Sequence, residues 1–203
     1  MKKILIVGAS GTIGQAVYNN LKNDYQIITA GRHNADLILD VTDRQSIDAA
    51  FQDLHNLDGV INCFGVVPFE PFDQVDMQNF SQGITDKFLG QVNIIQAILP
   101  KLNHGASIVL TSGILNHQPI HTGVCAAAAN GAIDGFGQAL ALELAGKARV
   151  NVISPSMVAD SIEAYGAYFD GYEVTQMDDL VNAYRRCLSG IINGQVLKLF
   201  KHI

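Results

Sequence analysis

Three glycines near the start carry the clearest chemical signal in this chain. In Met1-Lys-Lys-Ile-Leu-Ile-Val-Gly-Ala-Ser-Gly-Thr-Ile-Gly14, Gly8, Gly11 and Gly14 recur at intervals of three, directly after the aliphatic run Ile4–Val7. An amphipathic pattern through Ala16, Val17 and Leu21 follows, so the order reads strand, tight turn, helix. Gly8 lets the chain turn, Gly11 lets the backbone approach a pyrophosphate, and Gly14 lets the helix pack closely. Phosphate oxygens then sit at the helix N-terminus, among Ser10, Thr12 and Ile13, where unpaired N–H groups and the dipole favour negative charge. A plain structural turn is the competing reading; the position between a buried strand and a helix argues against it.

A second chemical choice falls at Gly31-Arg32-His33, after a strand expected over Tyr25–Ala30. A carboxylate at this point hydrogen-bonds a ribose 2′-hydroxyl, whereas an arginine accommodates a 2′-phosphate. The chain offers Arg32 and no carboxylate before Asp36, so NADP is expected over NAD, with a solvated surface arginine as the alternative. Asp40, just past a third strand beginning at Leu37, is placed either to reach an adenine amino group or to form a turn. Thr42 or Asp43 caps the helix that follows.

The elements that must hold these groups alternate along the chain. Helices are expected over about 44–55, 74–85, 87–99, 122–145 and 177–188, and further strands over Leu57–Phe64, Ala106–Thr111, Arg149–Ile153 and Gln195–Phe200. Strands alternating with helices imply a Rossmann-type doubly wound parallel sheet, a three-layer α/β/α arrangement spanning residues 1–203 as one NAD(P)-binding domain. With 203 residues, 48% hydrophobic and 16% charged, the chain can bury one sizeable core. A net charge of −6 without any Lys/Arg cluster argues against nucleic acid as a partner. Cys63, Cys125 and Cys187 are too scattered for a metal site or disulfide framework, so a reducing, cytoplasmic setting without a metal is expected. Lys2 and Lys3 precede an apolar run too short for a signal peptide, and no apolar stretch reaches membrane-spanning length.

The pieces together resemble a short-chain dehydrogenase/reductase. The resemblance rests on Gly8-Ala-Ser-Gly-Thr-Ile-Gly14, Asp40-Val-Thr-Asp43, Asp58-Gly-Val-Ile-Asn-Cys-Phe-Gly65, Ala139-Leu-Ala-Leu-Glu-Leu144, Val150-Asn-Val-Ile-Ser-Pro155 and Gly194-Gln-Val-Leu197, in the family's order. The glycine spacing is closer to the extended or atypical branches, and the chain is short, with a reduced substrate lid between strand six and the last helix. The resemblance implies further cofactor contacts at Val41, Asn62, Cys63, Phe64, Gly65 and Pro155, and a small carbonyl or alcohol substrate if the protein is active.

It also implies a tyrosine acid/base, a lysine four residues later, a serine upstream and an asparagine on an earlier helix. Register places those slots at Ala126, Asn130, Gly113 and Lys87, so none of the four family residues is present. Asn130 can still hydrogen-bond a ribose hydroxyl. Ser112 adjoins the serine slot but reaches it only at a bulge or strand end. His121 and His117 lie in the loop crossing the sheet's C-terminal edge, where a histidine could donate a proton. Cys125 beside the tyrosine slot reads as a packing residue. Ala126-Ala-Ala-Ala129 with Gly131 and Gly135 resembles the family's subunit-pairing helix, with Phe88, Val92 and Ile95 opposing it, so a homodimer or homotetramer is expected.

Two functions follow. One is an NADP-dependent oxidoreductase with a rearranged acid group; the other is a dinucleotide-binding protein that reports cofactor state without turnover. Ordinary carbonyl reduction is expected to be slow.

Overall fold

The structure, a computed structural model, describes residues 1–201 apart from the side chains of Ala164 and Tyr165. In chain order its elements are β1 (Lys3–Val7), α1 (Thr12–Leu21), β2 (Gln26–Gly31), β3 (Leu37–Ile38), α2 (Arg44–Ala50), β4 (Leu57–Asn62), α3 (Met77–Ile84) and α4 (Gly90–Ile98). They continue with β5 (Leu102–Thr111), α5 (Val124–Glu143), β6 (Ala148–Pro155), α6 (Ile162–Tyr165), α7 (Met177–Ser189) and β7 (Val196–Leu199). The strands form one parallel sheet in the order β3-β2-β1-β4-β5-β6-β7.

The aliphatic runs become strands because both faces of the sheet are covered. In β1, Ile4 and Ile6 pack with Val17 and Leu21 of α1 and Leu180 and Tyr184 of α7. Leu5 and Val7 point the other way, into a core with Ile47 of α2, Ile94 and Ile98 of α4, and Ile133 and Leu140 of α5. This is the Rossmann-type three-layer arrangement. Strand order reverses between β1 and β4, and the carboxyl ends flanking that point are where open α/β sheets bind ligands.

Three departures from the sequence expectation bear on the site. The third strand is only two residues long, because the Asp40 carboxylate accepts from the Thr42 N–H at 2.9 Å and its hydroxyl at 2.8 Å, turning the chain early. Asp43 then caps α2, accepting from Gln45 N–H at 2.9 Å. α2 itself stops at Ala50, with Phe51 at its C-cap swallowed by the core. Last, the two helices expected on either side of residue 86 are joined without a break. Thr85–Leu89 forms a π-helical turn, one residue wider than α, between α3 and α4. It lies between two tight approaches, where a Cβ on Gly83 would meet Pro68 at 2.7 Å and one on Gly90 would meet Val41 at 2.9 Å.

Candidate functional site

A cleft of about 430 Å³ runs along the carboxyl ends of β1, β2, β4 and β5. Its floor is the glycine turn. Gly8 sits at φ +87°, and a Cβ there would stand 2.7 Å from the Cys63 carbonyl. A Cβ on Gly14 would be 2.1 Å from the Gly8 carbonyl oxygen, so Gly14 is the contact that lets α1 rest on the turn. Gly11 is different: its nearest neighbour would be 3.6 Å away, leaving open space in the cleft wall. No side chain caps the N-terminus of α1 and no acidic residue occupies its first turn. Free N–H donors facing open space fit a pyrophosphate. Ser10, Thr12, Ile13, Val41, Cys63, Phe64 and Gly65 line the same cleft.

Arg32 lines the cleft beyond the glycine turn and is paired with a carboxylate the local sequence does not offer. Its guanidinium bonds the Asp86 carboxylate, which arrives from the π turn and also accepts from Val66 N–H at 2.9 Å. The Asp86 side chain is 10% exposed and that of Arg32 53%. Asp36 is pinned back on β2 by the N–H and hydroxyl of Thr29. Asp40 serves its turn, which holds its carboxyl below the usual range through the Thr42 hydrogen bonds, and it does not line the cleft.

A second cavity of about 300 Å³ opens beside the first. Lys87, Ser112, Ser161, Ile13 and Gly65 belong to the walls of both, so this is where the two meet. β5 ends at Thr111, and the strand end is what brings Ser112 to the junction; its hydroxyl is buried without a partner. Gln91 of α4 holds that end. Its amide oxygen accepts from Thr111 N–H at 3.2 Å, and its nitrogen donates to the Thr111 carbonyl at 3.0 Å and to the Lys87 carbonyl at 3.1 Å. Burial lowers the Lys87 pKa to about 8, only partly offset by the Cys125 thiol. Cys125 donates weakly to the Phe80 carbonyl at 3.5 Å, and burial raises its own pKa. Cys63 is pushed up to about 12 by burial, so it borders the cleft as a neutral thiol.

Other expected residues fall elsewhere. Asn62 is fully buried and lines neither cavity, whereas Cys63, Phe64 and Gly65 after it border the first. Gly14 lies beneath the turn rather than on its surface. Asn130 and Pro155 border the second cavity instead of the first, together with Gly113 and Ala126. His121 is exposed and outside both linings. His117 is drawn to Asp134, with its Nε2 3.2 Å from the carboxylate, and packs 5.7 Å from the Phe200 ring. Of the apolar residues expected to oppose α5 across a subunit boundary, Ile95 is buried in the chain's own core and Phe88 packs edge-on against Phe136 at 6.0 Å. Sequence reasoning did not assign Asp86, Val66, Val158 or Ser161 to the site, and it reached Lys87 only as the slot of an absent asparagine. The available signal was a helix break expected at residue 86.

Comparison with known proteins places the chain. The family model described as enoyl-(acyl carrier protein) reductase matches residues 14–178. The chain is a short-chain dehydrogenase/reductase. This short-chain dehydrogenase/reductase is 26% identical over 181 residues to an uncharacterized oxidoreductase of Methylorubrum extorquens, covering 77% of this chain and 73% of that protein. Among solved structures, a protein from Listeria innocua superposes with a TM-score of 0.95 at 30% identity, covering 98% of this chain and 100% of its own. A small-chain dehydrogenase in complex with NADPH superposes at 0.87 with 26% identity, covering 98% of this chain and 96% of its own. The family binds nicotinamide cofactors and acts on small molecules. No helix among the described residues is long and apolar enough to cross a membrane.

Proposed function

We propose that this short-chain dehydrogenase/reductase is an NADP(H)-dependent oxidoreductase that interconverts a small carbonyl compound and its alcohol with rearranged proton-transfer groups. The carrying observation is the meeting of two cavities at Lys87 and Ser112, one floored by phosphate-binding turn geometry and the other largely apolar. The cofactor supplies or accepts two electrons and a hydrogen nucleus when bound. The chain's own residues do the rest. The turn Gly8–Ile13 holds the pyrophosphate, Arg32 meets the 2′-phosphate, Asn130 and Ser112 offer hydrogen bonds, and Val158 and Ser161 help to close the junction. The solved NADPH complex of a relative supports the choice of NADP.

The second reading, a cofactor-sensing protein without turnover, is favoured by one observation: Ala126 and Asn130 border the second cavity where the family's tyrosine and lysine are expected. Calorimetric titration with NADPH and NADH tests the cofactor reading; tighter NADPH is expected, and equal affinity would sink it.

The whole chain acts as one domain in this reading, in the cytoplasm, where Cys63, Cys125 and Cys187 stay free. Assembly is proposed through α5, whose outward face carries exposed Val124, Ala128, Gly131 and Gly135. Sedimentation should show a dimer or tetramer, and Ala128→Arg should yield a monomer.

A further inference from the structure

We infer that Lys87 is the proton donor to the reacting oxygen, aligned by Gln91 and assisted by the Ser112 hydroxyl, and that the second cavity takes an apolar, uncharged ketone or aldehyde. This rests on the proposed nicotinamide-dependent reading and deepens it.

Position comes first. Lys87 belongs to the walls of both cavities and, among the described residues, is the only ionisable one bordering the second. The rest of that wall is mostly apolar, with Phe69, Leu115, Met157 and Phe169 among its members. Such a space rejects a charged body while presenting one cation to one oxygen.

The ammonium is also uncommitted. No hydrogen bond or ion pair to the Lys87 amine occurs among the described residues. The carboxylate next to it in sequence, Asp86, is engaged by Arg32 and by Val66 N–H. Cys125 on α5 is the titratable neighbour, and burial keeps that thiol protonated.

The side chain is held rather than loose. Gly65 at φ +135° lies so close that a Cβ on it would meet the Lys87 Cγ at 2.6 Å. Gln91, 1% exposed, ties the Lys87 carbonyl to the strand end from which Ser112 emerges. The two polar groups thus share one brace.

Burial lowers the lysine's pKa to about 8, which lets it give up a proton near neutral pH. In the reductive direction a C–H bond of a bound reduced nicotinamide would break, and its hydrogen with both electrons would form a C–H bond at the carbonyl carbon. The π pair moves onto oxygen, an N–H bond of Lys87 breaks, and an O–H bond forms. The alcohol leaves with oxidised cofactor, and the neutral amine regains its proton from water.

The first test needs no substrate and no variant. Competitive acetylation with acetic anhydride across pH, read peptide by peptide by mass spectrometry, reports the titration midpoint of each lysine. For Lys87 a midpoint near 8 is expected, with labelling slowed by NADPH. A Lys87 midpoint near the ordinary value of about 10.4 would overturn the proposal. The second test follows reduction of phenanthrenequinone, an activated apolar dione. Lys87→Met should lower kcat by about 10²–10⁴-fold with NADPH affinity within about threefold, because only the proton donor is lost. Lys87→Arg should be equally slow, since a guanidinium keeps its proton; a rate matching wild type would mean charge alone suffices and would overturn donation. Wild type that binds NADPH but does not reduce the dione overturns it as well. Failure to bind NADPH would instead bring down the cofactor reading, and this inference with it.

Discussion

The two ends of the cleft are built from different materials. At the proposed nucleotide end the surface is mainly backbone: a turn made possible by Gly8, a helix seated by Gly14, and N–H groups at the start of α1. At the proposed catalytic end it is side chains, brought in by irregular features, namely the π turn carrying Lys87 and the strand end releasing Ser112. The contrast teaches where each end is vulnerable. The backbone-built end fails when a Cβ is added, and the side-chain-built end fails when a charge or hydrogen bond is removed.

The sharpest way to break the comparison is Gly14→Val. A Cβ 2.1 Å from the Gly8 carbonyl cannot be accommodated by a side-chain shift, so a stability loss of about 3 kcal/mol or more is expected in urea denaturation. Gly11→Ala should behave oppositely, with stability within about 0.5 kcal/mol of wild type but weaker NADPH binding, since its Cβ meets only cleft. If Gly11→Ala unfolds the protein, the two glycines do not divide the labour in this way. Arg32→Ala comes next, with an expected loss of about 1.5–3 kcal/mol in NADPH affinity and little change for NADH, measured calorimetrically. Asp86→Asn keeps an acceptor for Val66 N–H while removing a negative charge from beside the 2′-phosphate position. NADPH should bind tighter by roughly 0.5–1 kcal/mol at low salt, an advantage that added salt erodes; weaker binding would mean that Asp86 is needed to aim Arg32. The smallest effect should come from Tyr184→Phe. The Thr111 hydroxyl lies 2.6 Å from the Tyr184 hydroxyl but keeps the Asn62 carbonyl as a partner, so about 1 kcal/mol of stability should be lost, with cofactor affinity unchanged.

The same contrast decides what could be read from the chain. The glycine turn, the alternation of elements and the parallel sheet were legible because backbone geometry is dictated locally, by Gly8 and Gly14 and by strands buried on both faces. Ser112 was legible only on condition that β5 ended beside it, which it does at Thr111. Asp86 was not legible as Arg32's partner, since the two lie 54 residues apart and only the folded sheet brings them together. Asp40 was balanced between two roles until its bonds to Thr42 showed the turn. The histidines looked chemically apt, yet Asp134 holds one and the other stands exposed. Lys87 was reached by register from Gly90 and Pro100 as the slot of the family's asparagine, but register does not show the π turn that carries it, and the role of a residue there depends on where the wider turn points it.

The π turn also governs how this region can change in length. In an α-helix each residue advances the rod by about 1.5 Å and rotates it by about 100°. Thr85–Leu89 holds one residue more than the regular spiral would, and the wide turn absorbs it, so deleting one of them would restore a regular α-helix with the two halves in nearly their present phase. Ile94, Ile95 and Ile98 of α4 would stay in the core, and Gly83 of α3 would keep its close approach to Pro68 and Cys125. What would change is the turn itself, which sets where Asp86 and Lys87 point. A single codon lost here would therefore spare the packing at both ends of the helix and strike only the residues between them.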